Sequence, residues 1–245
     1  MPLFSYDLHL HSCLSPCGDD DSHPADLAGL ACLLGLQIVA LTDHNSCKNT
    51  GAFVRAAEQA CARQGHRMLA LAGMELTTSE EAHLVCLFPD VERAMIFDGL
   101  VEKRLPAHPN RPEIFGRQIL RSAEDEELGD YENLLIPATG FSLAEAAKTV
   151  RELGGVSYPA HIDRMSYSVL SNLGFFPDDC GFTAYELADM SRRPDLEAAN
   201  PVLKGLLALT SSDAHRLEDM GSRNGRIELP ELTEKALFER ILRGA

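Results

Sequence analysis

Asp7-Leu8-His9-Leu10-His11 decides how this chain is read. The apolar run from Leu3 to Leu10 has the pattern of a strand, and two imidazoles two residues apart lie at its end. Strand alternation sends such a pair to one face, so His9 and His11 can reach one metal ion together. Four further clusters repeat the arrangement at or near the ends of apolar runs: Thr42-Asp43-His44, His83-Leu84-Val85, Ala160-His161 and Ser212-Asp213-Ala214-His215. Asp213 and His215 share the two-residue spacing. A lone histidine is more often a hydrogen-bonded core or surface residue than a ligand. Six of the nine histidines gathered in such clusters reverse that expectation and point to a multinuclear site, with donors suited to zinc, manganese or iron.

A chain of 245 residues, 45% hydrophobic, can bury one substantial core, within the range of an α/β barrel or one domain plus an insertion. No apolar run nears the ~18 residues of a membrane helix, and Met1 to Asp7 carries no basic, then apolar, leader. A soluble, cytoplasmic protein with no membrane partner is expected. The formal charge is −15, from 37 acidic and 22 basic residues. An acidic exterior repels phosphate backbones, which argues against long nucleic acid as a partner. The seven cysteines are scattered, mostly in apolar stretches such as Leu30-Ala31-Cys32-Leu33, and read as buried reduced thiols. Cys13 and Cys17 follow His11, but their spacing is looser than Cys-x-x-Cys and no second pair follows, so they are not taken as zinc ligands. Nothing in the pattern fixes an oligomeric state.

Strand-like and helical patterns alternate along the chain. Strands are expected at Leu3 to Leu10, Leu36 to Thr42, Arg67 to Leu76, His83 to Phe88, Gly155 to Pro159, Phe182 to Leu187 and Leu206 to Thr210. Helices are expected at Pro24 to Gly35, Gly51 to Gln64, Val91 to Arg104, Leu143 to Leu153 and Thr233 to Arg243. Such repetition predicts a mostly parallel sheet, closed or open. The stretch from Leu105 to Leu135 fits poorly, with Pro106, Pro109 and Pro112 and the acidic run Glu124-Asp125-Glu126-Glu127. It reads as an inserted flap or small subdomain within one domain spanning residues 1–245.

The ordered set Asp7-Leu8-His9-Leu10-His11-Ser12, Leu41-Thr42-Asp43-His44-Asn45, Gly73-Met74-Glu75-Leu76, His83-Leu84, Pro159-Ala160-His161 and Ser212-Asp213-Ala214-His215 resembles the motifs of the polymerase and histidinol phosphatase (PHP) family of metal-dependent phosphoesterases. The resemblance runs from Asp7 to His215. It implies an α/β fold, a distorted seven-stranded (β/α)7 barrel of TIM type, with two or three divalent metals at the carboxyl ends of the strands, where barrel active sites lie. By the family pattern His9, His11, Glu75 and Asp213 would hold one metal and Glu75, His83 and His161 a second, with Glu75 bridging. A third would use His44, His215 and a residue after the first motif. Counting back from Pro24 selects Asp19 for that place. Asp20 is the alternative, and a solvated turn before a helix amino end is the other reading of these aspartates.

The ligand set carries a chemistry. Two divalent ions can share a bridging hydroxide as nucleophile for in-line displacement at phosphorus, with no serine or cysteine nucleophile needed. Asp213 is the residue expected to orient that hydroxide and take its proton, and Glu75 the bridge on which turnover depends. A phosphate needs cations beyond the metals, and arginine's planar fork matches its oxygens. Arg164 and Arg192 are assigned to phosphate; Arg193 and Arg216 are read as salt-bridge partners, and Lys48 as a weaker candidate. Asp43 is expected to accept a hydrogen bond and Glu186 to orient a ligand. The expected function is hydrolysis of a small phosphorylated metabolite or nucleotide. The alternatives are a single-strand trimming exonuclease and a silent metal-holding regulatory domain.

Overall fold

The computed structural model describes residues 1–245, apart from the side chain of Gln64. Its strands are β1 Leu3–Leu10, β2 Ile38–Leu41, β3 Leu69–Thr77, β4 His83–Phe88, β5 Ile119–Arg121, β6 Glu127–Asp130, β7 Val156–Pro159, β8 Ala184–Glu186, β9 Leu207–Leu209 and β10 Gly225–Glu228. The helices are α1 Pro24–Leu33, α2 Thr50–Gln64, α3 Val91–Glu102, α4 Pro112–Phe115, α5 Leu143–Glu152, α6 Val169–Leu173, α7 Arg193–Ala199 and α8 Glu234–Arg243. Local signals set several of the ends. Pro24 occupies the first turn of α1, and Ser142 and Glu145 close a reciprocal capping box on α5.

The fold is mixed α/β around a curled half-barrel sheet of six strands, in the order β10-β1-β2-β3-β4-β7. The expectation of a mostly parallel sheet is corrected. β1, β2 and β3 pair in parallel, but β4 is antiparallel to both β3 and β7, and β10 is antiparallel to β1. The link Thr78–Ala82 is too short for the crossover a parallel β3–β4 pair would need, so a hairpin forms instead. β10 was not foreseen. It packs where Tyr6 reaches across, and a Cβ at Gly225 would meet the Tyr6 ring at 1.9 Å, so only glycine fits there.

The largest sheet does not continue as a hydrogen-bonded ladder into a seven-stranded ring. β8 and β9 form a separate parallel pair. Side chains span the gap back to β1: the Leu8 N–H donates to Ser211 Oγ at 3.2 Å, and the Thr210 N–H to the Tyr6 hydroxyl at 3.2 Å.

Alternation along the strands builds the layers. Ile38 and Ala40 of β2 join Tyr6, Leu8, Leu71, Val85 and Tyr158 inside the curled sheet. Val39 and Leu41 face outward into a cluster with Leu27, Ala28 and Phe53 of α1 and α2. Met74, Leu84, Cys86 and Phe88 carry a second outer cluster under α3 and α5. Each buried leucine or isoleucine contributes about 1.5–3 kcal/mol, which fixes register against slippage and with it the position of every strand-end imidazole. The stretch from Leu105 to Leu135 holds α4 and the β5–β6 hairpin. It is tied down by the Ile119 N–H on the Cys13 carbonyl at 2.8 Å and by Asn49, whose amide bonds the Ile119 carbonyl and the Arg121 N–H. No helix among the described residues is long and apolar enough to cross a membrane.

Candidate metal centre

At one end of the curled sheet the histidine clusters meet. The pairing of β1 with β2 slips between Asp7 and Leu10, at the run that carries His9 and His11. The His11 N–H then bonds the Ala214 carbonyl at 3.0 Å, linking the first motif to the last. The Glu75 N–H donates to the Thr42 and Asp43 carbonyls, each at 3.1 Å, which sets Glu75 beside His44. Non-glycine residues with positive φ concentrate here: Asn45 (50°), His161 (26°), Tyr167 (53°) and Asp213 (53°). Strained backbone persists where surrounding structure holds it, and functional sites are where it collects.

Glu75, 1% exposed, is the hub. Its Oε1 lies 2.8 Å from His83 Nδ1, 3.0 Å from His161 Nε2 and 3.2 Å from His9 Nε2. Its Oε2 lies 3.0 Å from His44 Nδ1 and 3.3 Å from His11 Nε2. Asp213 Oδ1 faces His11 Nε2 at 3.2 Å and His9 Nε2 at 3.4 Å, while its Oδ2 meets the Arg164 guanidinium at 2.5 Å. Three groups bring their donor atoms within 4.8 Å of one another: His9, His11, Glu75 and Asp213; His44, Glu75 and His83; and His11, His44 and His215.

Burial works against charge at Glu75, yet the imidazoles of His83, His9 and His44 hold its carboxyl well below the usual range. Asp213 is likewise desolvated and likewise held well below it, by His9 and His11. Burial opposes the charged form of His9 and His44 too, but Glu75, Glu186 and Asp213 raise His9, and Glu75 and Cys17 raise His44, well above the usual imidazole value. At His83 burial prevails and lowers the value to about 4. The cleft thus offers ionised carboxylates among imidazoles. His9 Nε2, His11 Nε2, His44 Nδ1, His83 Nδ1 and Asp213 Oδ1 are buried with no hydrogen-bond partner. Such atoms are costly when unmet, and nitrogen and carboxylate donors in this number fit divalent transition metals.

A supporting layer fixes the rings. His9 Nδ1 meets Glu186 Oε1 at 2.9 Å, and His11 Nδ1 meets Ser15 Oγ at 2.9 Å. Asp43 accepts from the Ser12 N–H and Ser12 Oγ, each at 2.7 Å, and from Ser15 Oγ at 2.8 Å. Neighbours of this kind select the tautomer and orientation of a ligating imidazole.

The structure does not bring every expected residue into the cleft. Asp19 is exposed, and its Oδ1 accepts the Asp21 N–H at 3.2 Å while its own N–H bonds the His215 carbonyl at 2.9 Å. That is the geometry of the turn before a helix. Arg192 donates to the Asp163 carbonyl at 2.5 Å in an adjoining groove, whereas Arg164 lines the cleft itself. Arg193 pairs with Glu197 and Arg216 with Glu218; Lys48 pairs with Asp98. Sequence reasoning missed Tyr167, which stacks on His83 at 4.7 Å between centroids, and Ile136, both lining the cleft. It also set aside Cys17. This residue is exposed as a whole and lines the cleft with His44 and His215. Desolvation raises its thiol, but the positive charges of His44 and His215 nearby bring it down to about 5.

The PHP domain family model matches residues 7–167, and the PHP-associated model residues 203–245. Among curated proteins, none matches the sequence. The lesion-specific endonuclease PfuEndoQ from Pyrococcus furiosus shares the fold at a TM-score of 0.67 and 18% identity, over 98% of this chain and 56% of that one. This chain therefore spans little more than half of the endonuclease. A protein from Bifidobacterium adolescentis described as a metal-dependent phosphoesterase matches at a TM-score of 0.58 and 20% identity, over 98% of this chain and 96% of that one. An amidohydrolase from Chromobacterium violaceum with bound sulfate matches at 0.59 and 22%, over 98% of both chains. The chain belongs to the PHP family of metal-dependent hydrolases.

Proposed function

We propose that this PHP-family chain hydrolyses a small phosphate ester, a phosphorylated metabolite or a nucleotide, at the histidine-lined cleft. The observation that carries the reading is the convergence of buried, unpartnered imidazole nitrogens and carboxylate oxygens within 4.8 Å, with an arginine at their rim. His9, His11, Glu75 and Asp213 would hold one ion, and Glu75, His83 and His161 a second, with Glu75 bridging; His44 and His215 would supply donors to a third. Bound there, zinc, manganese or iron would polarise the phosphoryl group and lower the pKa of an attacking water.

The protein's own groups supply the rest. Asp213, ionised and 4% exposed at its side chain, presents a carboxylate at the site and is positioned to accept the proton of the attacking water. Glu186 holds His9, and Ser15 holds His11, so neither ring has to reorganise during the reaction. Arg164 is paired with Asp213 and 40% exposed at its side chain, free to turn its fork onto a phosphate arriving from solvent. Ile136 and Tyr167 give one wall an apolar surface for the organic part of the ester.

Size and charge favour a small substrate. The cleft measures about 250 Å³, at or below the range of pockets that enclose drug-sized ligands. The net charge of −15 penalises each added phosphate of a polymer passing over the exterior. The test is an assay of manganese- or zinc-loaded protein on phosphorylated metabolites, mononucleotides and single strands of increasing length. Efficiency highest on the small esters, falling with length, is expected. A steady gain from dinucleotides to longer strands at physiological salt would overturn this reading in favour of an exonuclease.

A further inference from the structure

Asp213 presents its carboxylate from a loop after β9 with φ at 53°, a backbone conformation that crowds a Cβ. β8 and β9 stand apart from the six-stranded sheet, so the loops at their carboxyl ends are fastened by single contacts rather than by a continuing ladder. Two charged side chains make those contacts around Ala188. Asp163, two residues after His161 and 7% exposed, accepts the Ala188 N–H at 2.8 Å and the Asp189 N–H at 2.9 Å, one on each carboxylate oxygen. That ties the loop after β7 to the loop after β8. Arg223, half-buried two residues before β10, donates through Nη1 to the Ala188 carbonyl at 2.9 Å and through Nη2 to the Ser212 carbonyl. That ties the loop after β8 to the loop after β9.

Resting on the reading of Asp213 as ligand and base, we propose that Arg223 is its positioning residue. The Ser212 carbonyl belongs to the planar peptide whose orientation sets the φ of Asp213, so a fork that pins this carbonyl holds Asp213 in its positive-φ conformation. The other anchors fit the same purpose. The Ser212 N–H bonds Asp7 Oδ1 at 3.1 Å, and the Ala214 carbonyl takes the His11 N–H at 3.0 Å, so Asp213 lies between two fastened neighbours. Without Arg223 the Ser212–Asp213 peptide could rotate toward negative φ and carry the carboxylate away from His9 and His11. Arginine suits the task because its rigid fork reaches two carbonyls at once. Among the described residues Arg223 pairs with no carboxylate, in a chain with 37 acidic residues, and its donors go to the main chain.

Manganese binding tests the assignment. Chelator-stripped wild type, Arg223→Met and Arg223→Ala are titrated with manganese, the free ion being read by electron paramagnetic resonance. Arg223→Met keeps an apolar stem but no donor, and one equivalent should bind about tenfold or more weakly, as when other groups that orient a ligand are removed. Arg223→Ala should show the same loss, and millimolar guanidinium, which fits the space left by the fork, should restore much of the affinity where sodium chloride of equal strength does not. Wild-type affinity in Arg223→Met would overturn the role of Arg223, whether or not the alanine variant folds. A folded Arg223→Ala whose lost affinity guanidinium leaves unrestored would overturn it as well, and both results leave the metal centre standing. Wild type that takes up no manganese would overturn the centre itself.

Discussion

In the insertion, Gln118 is fully buried and uses both ends of its amide: Nε2 donates to the Tyr131 and Asn133 carbonyls at 2.8 Å each, and Oε1 accepts the Leu135 N–H at 2.9 Å. Arg117 nearby is shared between Asp130 and Glu127, at 2.6 Å to each. In the cleft, polar atoms just as deeply buried stand unpartnered on His9, His11, His44, His83 and Asp213. An unmet buried polar group costs about 1–3 kcal/mol, so a cluster of them persists only where the surrounding fold is strong and something else meets the cost. In the insertion a single buried side-chain atom, Asn110 Oδ1, is left without a partner. The cleft is a socket whose donors are complete only around a cation, and substitutions in the two regions should fail in different currencies.

The largest effect belongs to the hub of the socket. Glu75→Gln removes a charge that faces five imidazoles while keeping its shape, so tightly bound metal and turnover should vanish together, with catalytic efficiency down by about a thousandfold or more. Circular dichroism should remain native, because the apolar layers are untouched. Two retained metals with normal turnover would remove Glu75 from the centre.

Arg164→Ala comes next. It deletes one charge-assisted phosphate contact, worth about 1.5–3 kcal/mol, so KM for the preferred small ester should rise about tenfold or more while bound metal is unchanged. Loss of metal instead would mean that Arg164 serves chiefly to position Asp213.

The matching change in the insertion is Gln118→Ala. It should lower the free energy of unfolding by about 2–3 kcal/mol, since it leaves buried carbonyls and an N–H without partners. Metal stoichiometry should hold. If metal were lost as well, the insertion would be part of the socket, coupled through Asn45, whose amide bonds the Leu135 and Pro137 carbonyls at 2.6 and 3.0 Å.

Acidity separates the regions more gently. In the metal-free protein the raised values of His9 and His44 keep their rings protonated near neutrality, so metal uptake should release protons, and apparent affinity should climb with pH. The same groups bind protons more tightly folded than unfolded. Their contribution to metal-free stability is therefore complete below the ordinary imidazole value and lost as pH rises through the raised values. Calorimetry in two buffers of different ionisation enthalpy reads the proton release directly. No release would show that the cleft rings are already neutral.

How much of this was legible in the sequence follows from where each residue sits. His9, His11, Glu75 and His83 lie on or at the ends of regular strands, where period-two alternation and apolar flanks announce both element and direction. The hairpin joining β3 to β4 was equally readable from its short link, but the helix–strand repetition elsewhere obscured it. β10 is short, at the edge of the sheet, and shows only two buried positions, so its pattern is too brief to register. Tyr167 and Cys17 sit on loops whose course depends on contacts far along the chain. Linear counting back from Pro24 could not see that residues 12–18 fold back on themselves under Asp43, bringing Cys17 to His44 and turning Asp19 away.

The smallest expected effect tests that last point. Asp19→Asn keeps a side-chain oxygen able to accept the Asp21 N–H, since asparagine forms the same turn. It leaves untouched the Asp19 N–H that bonds the His215 carbonyl. Stability should move by less than about 0.5 kcal/mol, as for other exposed changes, and bound metal should be the same in variant and wild type. The one cost is a negative charge near the start of α1, a few tenths of a kcal/mol at low salt. Loss of one equivalent of metal in Asp19→Asn would return the aspartate to the metal centre as a ligand.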